Sequence, residues 1–143
     1  MHKSITIDAP RERVWRVLLD KEYTDIWYNE FSEGSSAETD WKLGSKATFK
    51  DSSGSGLNAV IVEHKPLEVI SMEFTGMLDK GKEITEGEYA DQMKGKHETY
   101  RLSEKDGQTR IDVEIETDES WTDQLAEMWE RALKRLKQLA EEK

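Results

Sequence analysis

The nine residues TRIDVEIET, 109–117, alternate without a break: Ile111, Val113 and Ile115 fall on one side, Arg110, Asp112, Glu114 and Glu116 on the other. Successive side chains of an extended chain point to opposite faces, so a segment this two-sided predicts a strand with one dry and one wet face. Strands buried on both faces are near-continuously apolar, so the sheet here is antiparallel and its dry face needs a cover. That cover is also in the sequence. Between about residues 120 and 142, Trp121, Leu125, Met128, Trp129, Ala132, Leu133, Leu136, Leu139 and Ala140 recur at helical spacing, and Glu and Lys take the opposite side. Ser120 followed by Asp123 gives this helix a capping-box-like start.

The remaining segments order themselves around these two. HKSITID (2–8) alternates like a half-buried strand. APRERVWRVLLD follows as a helix ending near Asp20, with Pro10 in its first turn. KEYTDIWYN makes a second, short helix, in which Tyr23, Ile26 and Trp27 share one face and Tyr23 and Ile26 anchor it. Strands are then expected in SAETDW, residues 45–51, residues 57–65 up to Pro66, residues 67–76, and KHETYRLSE (96–104). SSGSG (52–56) marks a flexible hairpin tip, and KDGQ joins 96–104 to 109–117 as a second turn. Strands followed by a helix indicate an α+β fold with helices on one face of an antiparallel sheet. The 19 residues 77–95 are long for a hairpin loop. They read either as a mobile loop or extended hairpin, or as a lid.

Composition narrows the function. A chain of 143 residues suits one domain, 1–143. Its net charge of −10 disfavours binding to nucleic-acid phosphates and to anionic membrane surfaces. The absence of cysteine removes disulfides, thiolate nucleophiles and Cys-based metal sites. No apolar run approaches the length of a membrane span, and the N-terminus carries no apolar signal core. A cytoplasmic location, with no insertion into membranes, is the expectation.

Several of these segments together resemble a known superfamily. ITIDAPRERVWRVLLD resembles the N-terminal signature of the START-like, or SRPBCC, helix-grip proteins. YTDIWY looks like the aromatic second helix of the branch of activator of heat-shock-protein-90 ATPase homologue-like proteins. HETYRLSEKDGQTRIDVEIE and ESWTDQLAEMWERALKRLKQL are similar to that branch's penultimate hairpin and closing helix. The resemblance implies a seven-stranded antiparallel sheet wrapped around the long C-terminal helix. Two short helices follow the first strand, and a cavity lies between sheet and final helix. The superfamily includes lipid carriers, hormone receptors, polyketide cyclases, allergens and co-chaperone domains, so the fold does not select an activity.

Candidate residues follow from the strand and helix faces. Trp27, Tyr28 and Phe31 come from the aromatic stretch YTDIWYNEF and are placed at one end of the sheet, near the cavity. Phe49, Met72, Phe74, Met77, Tyr100, Leu125 and Met128 complete an apolar wall. The same side chains could instead fill the space and leave no cavity. Trp15 and Trp129 read as core. Glu98 shares its face with Tyr100 and Leu102. Buried without a cation it would hold its proton and could work as a general acid or base, but the plainer reading has it hydrated at a strand end or paired with Lys or Arg. Asp51 raises the same question more weakly. His2, His64 and His97 show no metal-ligand spacing, and no nucleophile elbow or phosphate loop is present, so no metal and no cofactor are expected.

The favoured function is binding of a small hydrophobic or amphipathic molecule, a lipid included, without catalysis. One alternative is a co-chaperone-like module with a protein partner. Another is a cyclase- or dehydratase-type enzyme using Glu98, Tyr100 or Asp51.

Overall fold

The alternating segment is the inner strand of a pair. In the computed structural model, which describes residues 1–116 and 119–142 except the side chains of 89 and 119–122, β8 (Gln108–Ile115) runs antiparallel to β1 (His2–Ile7). Their register runs from His2 opposite Glu114 to Ile7 opposite Thr109. Ile111, Val113 and Ile115 are buried, while Arg110, Glu114 and Glu116 are exposed. On its other side β8 pairs with β7 (His97–Lys105) through a tight turn at Asp106 and Gly107, both at positive φ, 55° and 79°. This is the two-residue hairpin that KDGQ predicts.

The sheet continues through β5 (Val69–Asp79), β4 (Gly56–Lys65), β3 (Lys46–Lys50) and β2 (Ser36–Glu38). Its order is β1-β8-β7-β5-β4-β3-β2 with every pairing antiparallel, and β6 (Lys82–Ile84) adds to β5. The sheet curls, and α4 (Glu119–Glu141) lies inside the curl. This is the helix-grip arrangement: seven strands in the main path and one short addition. Trp129, Ala132, Leu133, Leu136, Leu139 and Ala140 of α4 are buried, so one side of the helix meets the dry face. A fully buried Leu, Ile or Met contributes about 1.5–3 kcal/mol by leaving water. The helix start expected at Ser120, the apolar side chain expected at Trp121 and the loop residue Tyr89 lie outside the described side chains.

Helices α1 (Arg11–Leu19) and α2 (Lys21–Trp27), followed by a 3₁₀ turn (Tyr28–Glu30), pack across one end of α4. Pro10 precedes α1 in extended conformation (φ −72°, ψ 160°) rather than standing in its first turn. Helix α2 buries Thr24 and Trp27 and turns Ile26 outward at 39% exposure. Ile26 is therefore not an anchor. Its helical neighbours Thr24 and Trp27 take the inner face, and Tyr23 is held by Arg13, whose Nη1 donates to Tyr23 Oη at 2.7 Å while its guanidinium sits 5.0 Å from the ring centre.

Two tryptophans finish α1. The last carbonyls of a helix have no partner inside it. Trp27 Nε1 donates to Val17 O and Trp41 Nε1 to Leu19 O, each at 2.9 Å, and both rings are buried.

Residues 77–95 form an extended hairpin, β5 into β6, and then a short helix α3 (Glu88–Met93) that packs against β5. The helix is not foreseen by the sequence reading. None of the segment's described side chains reaches the cavity described next, so it does not form a lid in this structure.

Candidate functional site

The cavity is set by where two aromatic segments meet. Tyr28 and Phe31 leave the 3₁₀ turn toward the inner face of the sheet, and Trp129 comes down from α4. Phe31 meets Trp129 edge-on at 4.9 Å and Tyr28 at 5.7 Å, and Tyr100 from β7 lies 5.6 Å from Trp129. Phe49 closes the β3 side, 6.4 Å from Tyr28. Such pairs add about 0.5–1.5 kcal/mol beyond their buried area, which makes a stiff wall. The rings do not plug the space. A pocket of about 280 Å3, open to solvent, is lined by Tyr28, Phe31, Phe49, Phe74, Glu98, Tyr100, Leu125, Met128 and Trp129. That is just below the ~300–1,000 Å3 usual for small-molecule sites. Ser32, Ser35, Ser36, Lys50, Asp51 and Ser55 give its mouth a polar rim.

Eight of the eleven residues singled out from sequence thus border one space: Tyr28, Phe31, Phe49, Phe74, Glu98, Tyr100, Leu125 and Met128. Three do not. Trp27 is fully buried behind the wall, 4.4 Å from Tyr28 and 6.0 Å from Trp129, because its N–H is committed to the end of α1. Met72 is also fully buried, directly opposite Glu98 on the neighbouring strand. Met77 lies beyond the cavity. Strict alternation from Met72 and Phe74 would send it to the outer face, but the strand pairing shifts by one residue between Asn58 and Ala59. That irregularity sets Met77 opposite Leu57, which in turn faces Phe49, so all three share the inner side.

Trp129 was expected as core and is both core and wall, 3% exposed. Leu57 and Gly56 also border the cavity without having been singled out. Leu57 was detectable as the cross-strand partner of Phe49 once the turn at 51–55 sets the register. The serines of the rim carry no pattern that separates them from ordinary turn residues.

Among the described residues Glu98 is the carboxylate set within the walls, Asp51 standing at the rim. Its directly opposed neighbours are Met72 on β5 and Ile115 on β8, both apolar. The Tyr100 hydroxyl donates to Glu98 Oε2 at 2.5 Å. What exposure Glu98 keeps is toward the cavity, and no Lys or Arg among the described residues forms an ion pair with it. The ion-paired expectation finds no partner among the described residues, whereas the half-buried Glu98, second in β7, stands near the strand end as the plainer reading had it. Burial pushes its pKa up from 4.5 to about 7, the Tyr100 hydrogen bond pulling weakly the other way. The hydroxyls respond in the same direction. Burial first, then the nearby Glu98 charge, lifts Tyr28 and Tyr100 well above a phenol's ordinary value, so both stay protonated donors.

Asp51 is different. It stands at the rim, accepts from Ser53 N–H at 2.8 Å and from Ser53 Oγ–H at 2.5 Å, and these bonds hold its pKa below the usual carboxylate value. It is an ionised turn residue, not an acid–base candidate. Lys50 at the mouth is paired with Glu38 at 3.0 Å. The histidines sit apart from one another and from the cavity: His2 on Asp112, His64 on the Trp41 carbonyl, His97 between Glu116 and Glu73.

Among the described residues, no helix is long and apolar enough to cross a membrane. Solved structures share the fold at low identity. CalU16 from Micromonospora echinospora is 19% identical with a TM-score of 0.70, over 98% of this chain and 74% of its own. Protein CV1439 from Chromobacterium violaceum is 20% identical at 0.70, over 100% and 97%. The Aha1 dimer from Colwellia psychrerythraea is 16% identical at 0.70, over 99% and 95%. No curated protein matches the sequence significantly. Strands β2 to β8 of the sheet, the aromatic turn after α1 and the closing apolar helix lie within residues 8–141, the span matched by the family of activator of Hsp90 ATPase homolog 1-like proteins, and to that family the chain belongs.

Proposed function

We propose that this chain binds a small hydrophobic or amphipathic molecule between the sheet and α4, without transforming it. The observation that carries the reading is the cavity itself: aromatic and aliphatic walls around one acid–phenol pair, with a polar rim. Ligand sites have this composition, apolar area for affinity and a few polar groups for orientation. Among the described wall residues, Glu98 and the Tyr100 and Tyr28 hydroxyls are the groups that can read a polar function.

The test is titration with the uncharged environment-sensitive dye N-phenyl-1-naphthylamine, following both dye emission and the tryptophan emission that Trp129 contributes at the wall. Binding is expected for the native chain and lost in Leu125→Trp, which fills the cavity from α4. Equal binding by both would remove the reading. A second reading, acid–base catalysis by Glu98, is favoured by its pKa near neutrality, where a carboxyl can both give and take a proton. The protein-partner alternative rests on the family and on the net charge of −10, which would steer a basic partner.

A further inference from the structure

Resting on that ligand-binding reading, we propose that the cavity selects a small amphipathic ammonium, its charge seated against Glu98 and its tail between Phe31, Phe49 and Trp129. Four observations converge on a cation. A carboxylate offers about four acceptor positions on its two oxygens. Among the described residues Glu98 receives one hydrogen bond, from Tyr100, on Oε2. Oε1 is left for whatever enters the cavity. The rings of Tyr28, Tyr100 and Trp129 line the same space, and an aromatic face attracts a cation, the more so as water is excluded. Among the described residues the one basic side chain lining the pocket is Lys50, and it is engaged by Glu38 at 3.0 Å rather than by Glu98. The chain's net charge of −10 also draws cations toward it.

Other head groups fit less well. An anionic one would meet Glu98 inside and Asp51 at the rim. A neutral hydroxyl could donate to Oε1 but would leave the buried charge uncompensated.

The groups facing Glu98 determine how recognition depends on pH. Tyr100 on β7 and Tyr28 on the 3₁₀ turn are its titratable neighbours, and both remain protonated through neutrality. From β5 and β8 come Met72 and Ile115, and from α4 Leu125, Met128 and Trp129, none of them ionisable. Lys50 and Asp51 also line the pocket, and hydrogen bonds from Ser53 hold the Asp51 carboxyl below the usual carboxylate range. Glu98 is then the group that titrates, between a protonated form indifferent to an ammonium and an ionised form that holds it.

Octylamine, octan-1-ol and octanoate share one tail and differ in head group. Their dissociation constants, measured by calorimetry at about pH 6 and about pH 8, are the test, in moderate salt to screen surface charge. Octylamine is expected to bind tightest and to gain about tenfold from the lower to the higher pH, as Glu98 passes from about one-tenth to about nine-tenths ionised. Glu98→Gln is expected to bind octylamine weakly and with no pH dependence. The proposal is overturned if octylamine binds no more tightly than octan-1-ol, or if Glu98→Gln leaves its affinity and pH profile unchanged. Octan-1-ol bound in competition with the dye, with octylamine no better, would sink the ammonium and leave the ligand-binding reading standing. Failure of all three ligands and of the dye would sink both.

Discussion

Glu98 is expected to make the fold less stable as the solution becomes more alkaline, and replacing it by Gln removes that loss. Its folded-state pKa of about 7 lies above the 4.5 of the unfolded chain. Between those values the native protein keeps a proton that the unfolded chain has released. The contribution is therefore fully present below about pH 4.5 and is lost as pH rises through about 7. At about 1.4 kcal/mol per pH unit, the whole loss is about 3 kcal/mol. Much of it falls in a convenient window. From about pH 5.5 to about pH 8 the term amounts to about 2 kcal/mol, a large fraction of a typical domain's 5–15 kcal/mol. Gln has the shape of the protonated acid and keeps an oxygen to accept from Tyr100, so Glu98→Gln deletes the ionisation and little else. Urea unfolding of both proteins at the two pH values gives the answer, since every other titrating group contributes equally to both and cancels in the difference. The variant's advantage is expected to widen by about 2 kcal/mol from the lower pH to the higher. A gap that stays constant within about 0.5 kcal/mol would show that Glu98 titrates like a surface carboxylate, and the desolvation argument would be refuted.

Two structural predictions concern the elements that build the cavity. Trp27→Phe keeps most of the buried ring but leaves the Val17 carbonyl without its donor, and is expected to cost about 1–3 kcal/mol in chemical unfolding; a change below about 0.5 kcal/mol would mean water replaces the indole. Gly56→Ala would place a methyl 1.8 Å from the Phe49 carbonyl oxygen, so it is expected to force the β3–β4 hairpin open, lower stability by about 3 kcal/mol or more, and broaden the amide resonances of residues 46–60. An unchanged melting temperature would show that this close approach is not maintained in solution.

Much of the architecture was legible because it rests on periodicity. The alternation in 109–117, the stripe on the last helix and the KDGQ turn each encode a local conformation that tertiary packing reinforces. Ile26 shows where local pattern fails. Three apolar or aromatic residues at helical spacing define a face only to within a residue, and a seven-residue helix is oriented by its flanking contacts instead. Helix α3 fails for a related reason: six residues rich in charge carry no apolar period. The cavity was legible as a set of ring-bearing segments, but not which rings would stand in front. Trp27 and Trp129 look alike in sequence. One is pulled back by an unpaired carbonyl ten residues earlier, the other left at the surface of the void. The behaviour of Glu98 was the least accessible, since it depends on Met72 and Ile115 standing directly opposite it, which is a matter of register.

The indole bonds that complete α1 also restrict how the protein can breathe. Swinging the 3₁₀ turn aside to enlarge the entrance would drag Trp27 off Val17 and expose a helix end, an expensive motion. The opposite jaw, the β3–β4 hairpin carrying Phe49 and Leu57, is fastened differently: its tip accepts from the β5–β6 turn, Gly54 O from Gly81 N–H at 3.0 Å and Ser55 Oγ from Lys80 N–H at 3.2 Å. Two hairpin tips knotted together in this way should swing as one flap, so a guest would enter by a joint movement of both against a stationary aromatic anvil.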